Sequence, residues 1–306
     1  MVAIAIGLLI VMAATALLLS TKTGYTSQDE SVQIQQTGRY AIELIGRTLR
    51  QVAYENWDSA EAPVVNTSGM TPAIRGLDAH RLKETGDGLD SPLSDSVNGS
   101  DVLAIRYFGS GKIHDADGTV LNCAGFGVAP ADTQHDAENT RGWSIFYVAK
   151  NSSGEPELYC KYKGADGEWQ TDAIARGIEA FQVLYGLDTN ADGLPDQYMN
   201  ATSIDALDRN LVAEGAGEAA VATERNRKTH WKKVIVVQVA LLVRGTVAMP
   251  TLSETEEYHL FGAEYSATHA DDDKGTRIKA ASLPAKHRKL FASVIQLRNR
   301  TTGDAT

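Results

Sequence analysis

The sequence predicts an α+β protein in which one long N-terminal helix packs on an antiparallel β-sheet head with long loop insertions. Three observations lead there. Residues 1–19 form an apolar run without a single charged side chain. Helical spacing of apolar residues continues beyond that run, and no proline interrupts residues 1–55. Further along, β-branched and aromatic runs follow one another between turn residues without intervening helical patterns, as in an antiparallel sheet.

The apolar run spans about 28 Å as a helix at ~1.5 Å per residue, close to the roughly 30 Å hydrocarbon core of a bilayer. A cleaved secretory signal is the competing reading. The run has neither a preceding basic segment nor a small-x-small cleavage site followed by a new domain start, so residues 1–20 are expected to be a transmembrane segment.

Over residues 21–55 the helix is expected to continue as an amphipathic one. Ile42, Ile45, Leu49 and Val52 share a stripe with spacings of three or four, while charged residues occupy the other faces. The whole helix would reach about Tyr54, roughly 80 Å from its start at 1.5 Å per residue, with Gly24 and Gly38 as weak points. A stripe of this kind is not stable alone in water and needs a partner surface, which the rest of the chain must supply.

That partner is an expected extracytoplasmic head over residues 56–306. Residues 56–100 are rich in Gly, Pro, Ser, Asp and Asn and read as a long irregular connection, with a short helix possible over 72–83. Strands are expected over 102–108, 143–149, 157–162, 181–186, 233–244 and 290–297. Gly109-Ser110-Gly111 and Asp117-Gly118 mark hairpin turns. Residues 212–224, small and repetitive, and 268–279, charged and polar, read as mobile surface loops.

The formal net charge of -10 over 306 residues makes nonspecific nucleic-acid binding a poor default, because such binding neutralises phosphates with Lys and Arg. The apolar fraction of 43% and charged fraction of 22% are those of a globular domain with a core. Cys123 and Cys160 have no C-x-x-C spacing and no zinc-ligand histidine nearby. Beyond a membrane anchor they are expected to form one disulfide; two buried free thiols are the alternative.

The sharpest local motif runs from Asp188 to Asp196 and matches D-x-N-x-D-G-x-x-D. Asp188, Asn190 and Asp192 place oxygens at alternate positions, Gly193 allows the sharp turn, Leu194 can offer its carbonyl, and Asp196 can act directly or through water. Met199 stands where a complete EF-hand has its bidentate Glu, and a strand rather than a helix is expected before the loop. Asp205 and Asp208 are the nearest candidates for the missing ligand. Ca2+ is the expected cofactor, against a solvated acidic turn.

Other patterns carry less. Gly109-Ser110-Gly111-Lys112 lacks the spacing of a phosphate loop, and no H-E-x-x-H or G-x-S-x-G occurs. Two basic clusters, one of Arg225, Arg227, Lys228, His230, Lys232 and Lys233 and one of His287, Arg288 and Lys289, read as solvated faces that an anionic partner would fit. Glu254, Glu256, Glu257, His259, Glu264 and His269 fit no metal template and read as an exposed loop. No catalytic residue is assigned.

MVAIAIGLLIVMAATALLL, QIQQTGRYAIELIGRTLRQVAY, FQVLYGLDTNADGLPDQY, WKKVIVVQVALLVRG and LFASVIQLRNR occur in this order. Together they resemble the PilW family of type IV pilus minor pilins. The resemblance covers the framework and is weak over residues 56–100 and 212–224. It implies a pilin-like fold and a non-enzymatic structural subunit that primes or caps pilus assembly. It would be a single-pass inner-membrane protein with a periplasmic head, later carried to the cell-surface pilus. The implied partners are other minor pilins and the major pilin, met through the N-terminal helix; a pilus-tip adhesin or DNA-uptake role is a further reading that rests on the basic clusters alone. The resemblance also implies a Cys123–Cys160 bridge and a recurrent 188–196 loop. The short prepilin leader and early acidic residue of the family have no counterpart ahead of Met1, so a truncated or misassigned start is expected and no cleavage site is carried over. A J-type minor pseudopilin of type II secretion is the nearest alternative, and a membrane-anchored periplasmic enzyme a more distant one.

Overall fold

The computed structural model describes residues 2–57, 64–86, 88–112, 114–248 and 256–299. Helix α1 (Val2–Leu49) is continuous over 48 residues and passes through Gly24 and Gly38 without a break. It stops short of the expected Tyr54, because Ala53 takes a left-handed conformation at φ 54° and turns the chain toward the sheets. Val52 and Ala53 are nonetheless buried, so the apolar stripe outlasts the helix that began it.

The strands are β1 (Ile74–Leu77), β2 (Val102–Tyr107), β3 (Gly111–Lys112), β4 (Asp115–Ala116), β5 (Gly142–Lys150), β6 (Pro156–Lys163), β7 (Trp169–Arg176), β8 (Ile178–Leu187), β9 (Gln197–Met199), β10 (Val234–Ala248), β11 (Glu257–His259), β12 (Arg277–Lys279) and β13 (Lys286–Gln296). Between them lie α2 (Ala137–Thr140), α3 (Ala201–Arg209), α4 (Glu218–Lys228) and α5 (Ala263–His269). The expected single sheet is in fact two antiparallel sheets, ordered β1-β2-β5-β6-β7 and β13-β10-β8-β9. Two short ribbons, β3–β4 and β11–β12, complete the pairing among the described residues.

All six expected strands are present, each within a few residues of its predicted limits. Residues 72–83 hold strand β1 rather than a short helix. So short an apolar run cannot be assigned by periodicity, and the buried-exposed alternation of Ile74 and Arg75 shows itself only against β2. Strand β7 went unforeseen because it is an edge strand with mostly exposed polar residues. Part of the expected loop 212–224 belongs to α4, where Ala and Glu favour helix and Arg225, Arg227 and Lys228 face the negative C-terminal end of the helix dipole.

One continuous core joins α1 (Ile34, Leu44, Ile45, Leu49) to the first sheet (Leu103, Ile105, Phe146) and the second (Phe181, Val183, Val239, Leu241). Gly38 lets α1 approach β13 closely, since a Cβ there would lie 2.3 Å from the Phe291 ring. The opposite face of the second sheet, Ala180, Ala240 and Leu242, is covered by Leu260 and Ile278 from the β11–β12 region. Residues 268–279 therefore belong to a cover, not a mobile loop: Asp273 and Thr276 are buried in it.

Asp273 accepts a hydrogen bond from the Tyr265 hydroxyl at 2.9 Å. Burial, with the Asp78 carboxylate second, pushes its pKa up to about 6. A carboxyl raised in the folded state destabilises when it ionises, so this cost is absent well below pH 4 and grows as pH rises through 6. Asp273→Asn is expected to stabilise the protein by on the order of 2 to 3 kcal/mol at pH 8, with the difference closing toward pH 4. Melting temperatures of both chains across that range check it; a constant difference would contradict it.

Candidate functional site

Every described side chain over residues 2–29 is exposed, and burial begins at Glu30. This portion of α1 extends about 42 Å from the head at 1.5 Å per residue. Ile4, Leu9 and Leu17 are 64–70% exposed, and apolar groups cover all sides of the rod up to Leu19. A helix apolar on every side is at home in lipid or against other helices, not in water. Among the described residues α1 is the one helix long and apolar enough to cross a membrane.

Where the rod meets the head, Glu30 is buried in the position that the apolar stripe would assign to a hydrophobic residue, one turn before Ile34. Its Oε1 accepts from the backbone N–H of Thr246 at 2.6 Å and of Val247 at 2.5 Å, and from the Thr246 hydroxyl at 2.9 Å. Gly245 leaves room for the carboxylate, since a Cβ there would sit 2.3 Å from Glu30 Oε2. The end of β10 is thus clamped to the base of the rod. Glu30→Ala would leave two backbone donors without their acceptor and is expected to cost about 2 kcal/mol. Chemical denaturation checks this; an unchanged midpoint would contradict it.

The 188–196 loop follows β8 and leads into β9. Gly193 N–H donates to Asp188 Oδ2 at 2.8 Å, Asp192 N–H to Asn190 Oδ1 at 2.9 Å, and Leu194 N–H to Asp192 Oδ1 at 2.8 Å. Ala191 and Gly193 have positive φ, 64° and 89°, which curls the backbone around these side chains. Asn190 Nδ2 donates to both Asp192 Oδ2 and Asp196 Oδ1, so one amide NH2 group already lies between two carboxylates. Hydrogen bonds from the Thr189 hydroxyl and N–H hold the Asp196 pKa below the usual carboxylate range. The donors suit a hard cation by type. Yet among the described residues no three Asp, Glu, His or Cys side chains gather into a metal cluster.

Asp205 and Asp208 do not supply the missing ligand. Asp205 Oδ1 accepts from Trp231 Nε1 at 2.8 Å, and Asp208 Oδ1 from His230 N–H at 2.8 Å, so α3 is pinned to the segment before β10. Their spacing in sequence suited the loop, but α3 turns Asp205 toward Trp231 and Asp208 toward Thr229 and His230.

Of the two basic clusters, Arg225, Arg227, Lys228, Lys233 and Lys289 are exposed as expected, whereas Arg288 is not. Arg288 is buried against Glu179, with Arg288 Nε 2.5 Å from Glu179 Oε2 and Arg244 Nη1 3.1 Å from Oε1. In the other cluster, Arg227, Lys228, His230, Lys232 and Lys233 line a cleft of about 710 Å³ that also reaches Asp188 and Thr189. The acidic, histidine-containing stretch does not converge: His259 lies 3.8 Å from Glu257, whereas His269 stacks on Tyr265. Glu254 lies outside the described residues.

Cys123 and Cys160 are bonded in the structure, with Cα atoms 5.7 Å apart, and both are buried in the main core. Sequence reading missed a buried group nearby: Arg106 and Arg141 share Glu138 and the Thr71 hydroxyl. Arg106 within β2 and Arg141 just before β5 gave no sign of burial in the sequence.

The sequence model of a family described as Type IV Pilus-assembly protein W matches residues 145–299, just over half of the chain. Among solved structures, the chain is similar to a type IV-like pilin from Thermus thermophilus at 12% identity, covering 88% of this chain and 94% of that one with a TM-score of 0.34. No curated protein matches the sequence.

Proposed function

The chain belongs to the Type IV Pilus-assembly protein W family, and from that premise we propose that it is a minor pilin, a structural subunit that primes or caps pilus assembly. The observation that supports this most is the exposed apolar half of α1, joined without a break to a half that is core of the head. One segment would then serve two environments in turn. In the inner membrane it anchors a periplasmic head; in the fibre it packs against the helices of other minor pilins and the major pilin.

The head is a scaffold with no catalytic assignment. Its exposed end is suited to meeting further tip components, an adhesin among them. Chemical cross-linking in cells followed by purification tests the reading: pilus subunits are expected as the linked partners. Recovery of secretion-system pseudopilins would move the chain to the type II apparatus, and recovery of neither would overturn the assembly role.

The 188–196 loop is proposed to hold calcium through Asp188, Asn190, Asp192, the Leu194 carbonyl and Asp196. Bound calcium would offset most of the charge of the three carboxylates and stiffen the turn. Affinity in the roughly 10⁻⁴ to 10⁻³ M range is expected, as in extracellular modules. Calorimetric titration of the wild-type chain and an Asp188→Ala, Asp192→Ala variant checks it: heat in the first alone supports the site, and identical flat traces eliminate it.

A further inference from the structure

The cleft lined by the basic segment before β10 is also lined by Val52 and Ala53, just beyond the end of α1 at Leu49. From Lys22, the first charged residue of α1, to Leu49 the helix rises about 40 Å at ~1.5 Å per residue. The cleft therefore lies beside the end of α1 that is remote from the anchor. Its lining combines the apolar Val52, Ile74, Trp231, Val234 and Leu297 with the basic Arg227, Lys228, Lys232 and Lys233, against the single carboxylate of Asp188.

Positive charge exceeds negative charge along and behind these basic residues. Glu224 takes both Arg227 and Lys228, each at 2.8 Å. Glu138 takes both Arg106 and Arg141. Lys232 Nζ has only the Ser68 carbonyl, at 2.5 Å, and Lys233 is exposed with no carboxylate partner among the described residues. Burial, together with the nearby Arg141 and against the nearby Glu138, lowers the Lys232 pKa to about 8. His230, in contrast, is already held by Asp208 at 2.7 Å.

We propose that this cleft docks an acidic, partly apolar segment of a neighbouring protein subunit. Carboxylates of the incoming segment meet Lys232 and Lys233, while its apolar side chains cover the apolar lining. Charge complementarity selects this occupant. Nucleic acid is the poorer match, because it offers phosphates but little for an apolar lining, and a chain of net charge -10 repels it at longer range. The inference rests on the assembly reading, since it takes the partner from the same structure.

The test places a photo-crosslinking benzoylphenylalanine at Leu211, on the cleft, in the full chain produced in pilus-forming cells. Ser153, in the exposed turn between β5 and β6, serves as the control position. The Leu211 position is expected to link to a protein whose attached peptide, read by mass spectrometry, has Asp or Glu beside apolar residues, with no such link from Ser153. Lys233→Glu should lower the yield about tenfold and Lys233→Arg should preserve it. Lys233 is exposed, so neither change threatens folding, and a melting curve verifies this. A linked nucleic acid, a linked peptide without acidic residues, no link at Leu211, or an unchanged yield in Lys233→Glu overturns the proposal. Fibres sheared from the same cells separate the two readings: the specific link in cells whose fibres lack the chain upholds the cleft and overturns the fibre role.

Discussion

Glu179→Ala is expected to cost the head about 3 to 5 kcal/mol, because it strips a buried carboxylate from between two buried guanidinium groups. Glu179 is 2% exposed, Arg288 8% and Arg244 9%. After the change Arg244 retains Glu155, which is half exposed, but Arg288 is left with the carbonyls of Pro284 and Lys286. The three residues stand on β8, β10 and β13, so the penalty falls on the register of the second sheet, on which α1 packs. Adding Arg288→Met to Glu179→Leu should recover most of the loss, since an apolar pair carries no uncompensated charge. Denaturant midpoints of the full chain in detergent micelles check both; a single variant as stable as wild type would contradict the role given to the carboxylate.

The second large effect is expected from the Cys123–Cys160 bridge. It closes a loop with a sequence separation of 37, for which the chain-entropy treatment gives about 4 kcal/mol of stabilisation at 25 °C. The loop includes β5, the central strand of the first sheet, so its release loosens a core element rather than a surface excursion. A Cys123→Ala, Cys160→Ala chain should unfold at a lower denaturant concentration, and reductant should bring wild type close to it. Insensitivity of the wild-type midpoint to reductant would contradict a bridge in solution.

The six main strands were legible because their own side chains declare them: Val, Ile, Phe and Tyr runs such as that of β10 have no other comfortable place. The long helix was legible for the same reason, from composition and spacing. What escaped was defined by partners distant in sequence. Glu30 reads as an ordinary helix-surface acid until Thr246, 216 residues later, is placed beside it. Arg288 reads as a solvated cation until β13 aligns it with Glu179, 109 residues away. Strand β7 gave no apolar pattern, and the two-sheet arrangement depends on how β8 pairs with β10 instead of with the preceding strand.

The 188–196 loop is a different case. Its turn is a local property of Asp, Asn and Gly, and the hydrogen bonds from Asp192, Gly193 and Leu194 N–H groups form within the motif itself. The search for an additional ligand downstream failed because α3 starts immediately after β9, with Asn200 accepting from Ser203 N–H at its N-terminus and Asp78 accepting from Ala201 and Thr202. That capping fixes the direction of the helix and, with it, the side chains of Asp205 and Asp208.

In the proposed fibre the exposed apolar half of α1 is a packing surface. A benzoylphenylalanine at Leu9, activated in sheared and detergent-washed fibres, reports on that packing. A covalent link from Leu9 to the N-terminal helix of another pilus subunit is expected. Absence of the chain from the fibres, or a link from Leu9 to lipid alone, would contradict it.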